Sequence, residues 1–295
     1  MFNGMLPTCN KSPILEEIDL KFVFVIIPTI TVHFMLGFRE ICSVTAALPI
    51  VTLVICFVSA VVFQFDDVHE THCRVWNFIP SISAITGISP NIYFWRISIA
   101  LHVGPRFIIA ICYKSYYEHM LCHVNNPIVH KKGTLFMNLA FWLHIVEVTS
   151  LCGVTYISNR ENYTLHEQVF IVFMICSLCH MLIVIKLCQL MKNEIDVQLL
   201  PHLILIDEEK SIKFKKILFN ISVVSTVGLA VFFFKHRVYC HDLAFSAFAF
   251  CEYVIACCNL AFHCTTMLDF PSEYLMIARR TTRMKLKHPT GWKLD

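Results

Sequence analysis

Charged residues and glycine are both scarce in this chain. Only 15% of its 295 residues are charged and only eight are glycine, whereas a soluble globular domain has about 25% charged residues. The glycines are too few and too dispersed to form a nucleotide-binding loop. The chain also lacks internal repeats and low-complexity linkers, so the sequence predicts one principal domain.

Several motifs of soluble enzymes are missing as well. The chain has no G-x-S-x-G elbow around a nucleophilic serine and no H-E-x-x-H metal pair. Cys176 and Cys179 are three residues apart, but they lie within an apolar run and no second pair of this spacing exists. We therefore predict no metal site and no resident cofactor. The net charge of +3 gives no reason to expect nucleic acid as a partner.

Long apolar runs dominate what is present. Hydrophobic residues make up 57% of the chain, and the mean hydropathy is +0.64. A transmembrane helix needs about 20 mostly apolar residues. The sequence therefore predicts an all-α integral membrane protein, a bundle of about six transmembrane helices. The predicted spans are residues 44–65, 93–113, 134–157, 169–190, 217–234 and 243–267.

A shorter apolar run covers residues 22–38 and contains Pro28 and His33. It could be a signal-like region, an interfacial segment or an additional span. The predicted organisation is an N-terminal extension at 1–39, a six-span membrane domain at 40–271 and a basic tail at 272–295.

Lys and Arg concentrate in alternate loops, and this bias predicts the orientation of the chain. Residues 114–133, 191–216 and 268–295 carry most of them. We expect these segments and the C-terminus to be cytosolic, and the intervening loops to be lumenal.

Two features depend on that orientation. Asn162 begins the sequence Asn-Tyr-Thr, a glycosylation acceptor, in a predicted lumenal loop. Cys73 and Cys240 also lie in predicted lumenal loops, on the oxidising side. We expect a disulfide between them, the alternative being two unpaired thiols.

Polar residues inside the predicted spans are grouped rather than scattered. A charge near the bilayer centre costs about 2.5 to 3.5 kcal/mol, so each needs a partner or a function. One interpretation is a site for an anionic lipid headgroup. The alternative is structural, with Arg106 paired to Glu147 or Glu252 and fixing the helix register. The groups are Arg96, His102 and Arg106 in the second span, His144 and Glu147 in the third, and Glu252, Asn259 and His263 in the last.

Four spaced blocks follow one another across residues 40–271. They include Pro80-Ser81-Ile82-Ser83-Ala84 with Trp95-Arg96, then Glu161 to Glu167, then Lys235 to Cys240, and finally Glu252-Tyr253-Val254 with Asn259 and His263. In this order they resemble the Frag/DRAM/Sfk family of membrane proteins.

The resemblance implies a six-span protein of the Golgi membrane or the endoplasmic reticulum membrane. It also implies a part in remodelling the lipid of GPI anchors, at the step that restores a saturated chain on lyso-GPI. The partners would be GPI-anchored proteins with their lyso-GPI lipid, other membrane lipids and a membrane-protein partner. The polar residues of the family pattern fall on Arg96, His102, Arg106, His166, Glu167, Glu252, Asn259 and His263.

Two hypotheses of function follow. In an acyltransferase or a subunit of one, His263 or His102 would act as base, supported by Glu252 and Asn259, with acyl-CoA or a phospholipid as acyl donor. The second hypothesis is a non-catalytic lipid-binding or adaptor protein. A transporter or channel finds little support, because the spans show no paired, interrupted half-helices. In both main hypotheses Arg96, Arg106, His166 and Glu167 would bind the lipid and its phosphate.

Overall fold

The computed structural model describes residues 25–194 and 206–285. The chain divides into two compact units, one of residues 38–273 and one formed by residues 1–37 together with 274–295. Residues 1–24 of the predicted N-terminal extension and 286–295 of the predicted basic tail lie outside the described residues.

Six long helices form the larger unit. In the part of the chain that the structure describes, these six are long and apolar enough to cross a membrane. They confirm the predicted fold class, and they extend past the apolar runs because polar residues at their ends continue the helices. The helices are α1 (Phe38–Phe63), α4 (Asn91–Leu121), α5 (Pro127–Tyr156), α6 (Tyr163–Glu194), α7 (Ile206–Tyr239) and α8 (Ala244–Cys264).

The outward faces of these helices are apolar. Val44, Val51 and Val58 follow one another at seven-residue intervals along α1, and all three are more than half exposed. Exposed valines in such a row suit contact with lipid chains rather than water. Helix α5 packs against α6, α7 against α8, and α4 against both α1 and α5.

Three short helices complete the described part of this unit. Helices α2 (Phe65–His69) and α3 (Ile82–Thr86) lie in the connection between α1 and α4, and α9 (Thr266–Asp269) follows α8. Successive spans run in opposite directions, so the connections at 64–90, 157–162 and 240–243 meet at one end of the bundle. A disulfide joins Cys73 to Cys240 at this end, which we call the disulfide end.

The described residues of the smaller unit form a two-stranded antiparallel sheet. Strand β1 (Val25–Gly37) pairs with β2 (Tyr274–Lys285), with an irregularity between Val32 and Phe34. The apolar run at 22–38 is thus a strand in its described part, and none of the three interpretations from sequence anticipated this. The segment is rich in β-branched residues, which favour strands.

Candidate functional site

A buried polar centre lies where four helices meet. Its negative charge is Glu147 on α5, which is completely buried, and its positive charge is Arg106 on α4, which is 1% exposed. Two such charges are tolerated in an apolar interior only when they neutralise each other. The polar centre comprises Arg106, His144, Glu147, Ser177, His180, Asn259 and His263.

Glu147 is the hub of this polar centre. Its Oε1 atom accepts from Arg106 Nη2 at 2.7 Å and from Asn259 Nδ2 at 2.8 Å. His263 Nε2 lies 3.0 Å from the same oxygen, and His180 Nδ1 lies 3.3 Å from the other carboxylate oxygen. The sequence left the partner of Arg106 open between two acids, and the structure selects Glu147.

Histidine rings stack around this ion pair. The ring of His263 lies 4.9 Å from that of His144 and 5.5 Å from that of His180, measured between centroids. Arg106 Nη2 also contacts His263 Nε2 directly. Among the described residues, Arg106 Nε and Nη1 have no hydrogen-bond partner. An anionic group could therefore still accept from this guanidinium.

Glu147, His180 and His263 place their ligating atoms within 4.8 Å of one another, a spacing that a metal ion could use. Arg106 contacts two of the three. A guanidinium in this position repels a metal cation and already neutralises the carboxylate, so we assign the charge compensation to Arg106.

Glu252 does not join the polar centre, although the sequence placed it in line with Asn259 and His263. Its Oε2 atom instead accepts from the backbone N–H of Ile82 at 2.9 Å, at the start of α3. Seven residues separate Glu252 from Asn259, which is about 10 Å along a helix. Glu252 therefore lies nearer the disulfide end.

His102 is buried against α1. Its Nδ1 atom lies 2.7 Å from the carbonyl oxygen of Thr45, and because a carbonyl only accepts, Nδ1 donates. Its Nε2 atom is buried with no hydrogen-bond partner among the described residues. His102 is thus available as a base or an acceptor, apart from the ion pair of the polar centre.

Arg96 also lies apart from Arg106. It pairs with Glu161 at 2.8 Å and donates to the carbonyl oxygen of Tyr156 at 2.8 Å. Hydrogen bonds from the backbone of Ser158, and then from Arg96, lower the pKa of Glu161 to about 2. The two arginines predicted to hold one phosphate are ten residues apart, about 15 Å along the helix, and they belong to different clusters.

Asn162 lies in the exposed connection between α5 and α6. Its Oδ1 atom accepts from the backbone N–H of Leu165 at 3.1 Å and so caps the start of α6. The structure thus places the predicted glycosylation acceptor at the disulfide end.

His166, in the first turn of α6, contacts Ser83, a residue that the sequence did not single out. Its Nε2 atom lies 2.9 Å from Ser83 Oγ, and its Nδ1 atom lies 2.7 Å from the carbonyl oxygen of Ile157. No motif marks Ser83 as reactive. The only signal was its place in the block Pro80 to Ala84, which belongs to the family resemblance.

Two large cavities adjoin this pair of side chains. The first, of about 850 Å³, extends into the bundle past Trp95 and His102. The second, of about 910 Å³, lies between α6, α7 and α8 and is bordered by Glu167 and Phe233. Four residues line both cavities: Ser83, His166, Phe170 and Glu252.

Comparison with known proteins gives a consistent set of relatives. The family described as "Frag1/DRAM/Sfk1/Cwh43P N-terminal domain" matches residues 37–273. The "Post-GPI attachment to proteins factor 2-like" protein of Drosophila melanogaster is 56% identical, covering 85% of this chain and 74% of the relative. "Acyltransferase PGAP2" of Xenopus tropicalis is 31% identical, covering 83% of this chain and 92% of the relative. No solved structure matches.

Proposed function

The chain belongs to the Frag1/DRAM/Sfk1/Cwh43P family, and we propose that it remodels the lipid of GPI anchors, at the reacylation step that restores a saturated chain on lyso-GPI. The names of its relatives, two of them acyltransferases and the others factors of post-GPI attachment, support both the pathway and the reaction class. We further propose a Golgi or endoplasmic reticulum membrane location with a cytosolic C-terminus. The disulfide supports this orientation, because disulfides form on the lumenal side.

One observation carries the proposal. Two cavities meet at a few convergent polar groups, at the end of the bundle that bears the disulfide. Their walls are mainly apolar, as in Leu53, Phe170 and Phe233, which suits acyl chains. Lyso-GPI attached to its protein lies on the lumenal side of the membrane, where this end would face it. The acyl donor would be a phospholipid or acyl-CoA.

The non-catalytic alternative rests on a different observation. The charges of the polar centre are already paired within the protein, as expected of a scaffold that binds lipid without reacting. In that case the protein would retain or present lyso-GPI, or recruit a membrane-protein partner that performs the transfer.

The experiment is an analysis of GPI-anchor lipids in cells that lack the protein. We expect one-chain anchors to accumulate, and wild type to restore two-chain anchors. Rescue with Glu252→Gln keeps an acceptor for Ile82 N–H but removes the carboxylic acid. It therefore tests whether remodelling needs the acid in the wall that the two cavities share. Normal two-chain anchors in the deletion would contradict a role in this remodelling.

A further inference from the structure

Ser83 and His166 form a hydrogen-bonded pair with a defined direction. The carbonyl oxygen of Ile157 can only accept, so His166 Nδ1 carries the proton and donates to it at 2.7 Å. In the neutral ring Nε2 is then an acceptor, and Ser83 Oγ donates to it at 2.9 Å. This is the arrangement in which an imidazole can take the proton of a hydroxyl that attacks a carbonyl carbon.

The surrounding backbone holds Ser83 in place. Ser81 caps α3 by accepting from Ala84 N at 3.1 Å, and Ile82 N donates to Glu252. At the other end of α3, a Cβ added at Gly87 would lie 2.8 Å from Asn159 Oδ1. The same Cβ would lie 2.8 Å from the backbone carbonyl oxygen of Ser83, so a larger residue at Gly87 would displace the part of α3 that carries Ser83. These contacts hold Ser83 beside His166.

The pair also lies where two lipid chains could meet. Ser83 and His166 line both the 850 Å³ cavity and the 910 Å³ cavity. A donor chain in one cavity and an acceptor lipid in the other would bring an acyl carbonyl and a free hydroxyl to the same serine. The polar centre offers no comparable nucleophile, because Ser177 accepts from Asn259 at 2.7 Å beside the ion pair.

We propose that Ser83 is the nucleophile of an acyl-enzyme mechanism and that His166 is its general base, transferring an acyl group from an ester or thioester donor to a lyso-lipid hydroxyl. This inference rests on the acyl transfer proposed above and names the residues that would perform it.

The steps balance without a further reactant. Ser83 Oγ attacks the donor carbonyl carbon while its proton passes to His166 Nε2. The bond to the leaving alcohol or thiol breaks, the leaving group takes that proton, and acyl-Ser83 remains. The hydroxyl of the lyso-lipid then attacks the same carbonyl carbon and gives its proton to His166. The bond to Ser83 breaks and Ser83 recovers the proton.

The first test is covalent trapping on the full-length protein in detergent. A long-chain alkyl fluorophosphonate, which reacts with activated serines, should modify wild type at Ser83, as located by mass spectrometry. Ser83→Ala should remove the adduct, and His166→Gln should slow its formation by about a hundredfold or more, since a general base contributes at least that much. Ser98→Ala is the control, because Ser98 is a buried serine that borders neither cavity.

Two labelled donors distinguish the source of the acyl group. Wild type is incubated with phosphatidylcholine or with acyl-CoA carrying the same labelled saturated chain, and labelled Ser83 peptide is measured. We expect label from one donor, and its release when a lyso-lipid is added. No adduct with the fluorophosphonate and no acyl-Ser83 from either donor would overturn the proposal.

Cells provide the independent measurement. Ser83→Ala should fail to restore two-chain anchors although the protein reaches wild-type level and melting temperature, whereas Ser83→Cys, which keeps a nucleophile, should retain part of the activity. Full rescue by Ser83→Ala would overturn the mechanism while leaving the proposed function intact. Normal anchors in the deletion would instead remove the GPI function, and the trapping result would still decide the role of Ser83.

Discussion

The polar centre and the Ser83–His166 pair contain similar side chains but differ in their roles. In the polar centre, a carboxylate with no exposed surface is surrounded by Arg106, Asn259 and His263. At the disulfide end, a serine and a histidine bond to each other beside two large cavities. The charges of the polar centre are already paired and stabilise the helix arrangement. By contrast, in the described part of the chain the hydroxyl and the imidazole are bonded only to each other and to a backbone carbonyl, and they border both cavities, where they can react. A neutral hydrogen-bonded pair that borders two cavities is thus a better candidate for chemistry than a charge that is already compensated.

Replacing Glu147 should destabilise the polar centre. Glu147→Leu leaves the Arg106 charge buried without its acid, which costs about 3 to 5 kcal/mol. We expect a strongly reduced protein level and melting temperature in detergent. Glu40→Gln, at an exposed position on α1, is the control. The double variant Glu147→Leu with Arg106→Met should recover much of the loss, because no charge remains unpaired. A single variant as stable as wild type would contradict the structural role.

Removing the disulfide should destabilise the disulfide end, where Ser83 and His166 lie. Cys73→Ser is expected to cost about 2 to 4 kcal/mol, and hydrogen exchange should rise in residues 64–90 more than around Glu147. Cys179→Ser replaces an exposed thiol and should change little. Equal exchange in both regions would show that the disulfide end is not the separately constrained part.

Gly87→Ala tests the close approach of α3. The new Cβ would lie 2.8 Å from Asn159 Oδ1 and 2.8 Å from the backbone carbonyl oxygen of Ser83, and such overpacking costs about 1 to 3 kcal/mol. We expect lower thermal stability and slower fluorophosphonate labelling of Ser83. Gly104→Ala is a matched control, since no atom lies within 4 Å of its added Cβ and alanine favours the helix. If both variants behave alike, the approach of α3 does not position Ser83.

The smallest effect is expected at the Arg96–Glu161 pair. These side chains are 23% and 52% exposed, and an exposed ion pair contributes about 1 kcal/mol at most. Because the pKa of Glu161 is lowered to about 2 from an ordinary 4.5, its contribution is complete above pH 4.5 and is lost as the pH falls towards 2. Melting temperatures of wild type and Glu161→Gln should therefore differ only slightly and by a constant amount between pH 5 and 8. The difference should shrink as the pH falls from 4.5 towards 2, and a difference that stays unchanged there would contradict the lowered pKa.

The six spans could be predicted because each leaves a continuous apolar signal, and the structure confirms them. The cost of charge in a bilayer also led directly to Arg106 and Glu147 as candidates for an ion pair. Helical periodicity gives the face of a residue but not its depth relative to other helices. For that reason Glu252 was grouped with His263, although the structure separates them.

Ser83 could not be predicted on the same grounds. Serine carries no charge whose burial would draw attention, and the path of residues 64–90 across the end of the bundle has no local signal. The strand at Val25–Gly37 was missed for a related reason. Its hydrogen-bond partner, Tyr274–Lys285, lies at the opposite end of the sequence, where no short-range pattern links the two.

The pairing of Val25–Gly37 with Tyr274–Lys285 also separates the two strands in time during synthesis. The first strand emerges before residues 38–273, and its partner emerges only after all of them. At about 5 to 20 residues per second, the first strand waits for some tens of seconds with its backbone N–H and C=O groups unpaired. A chain that is truncated before residue 274 never acquires the partner strand, so its open edge stays available for pairing with another chain.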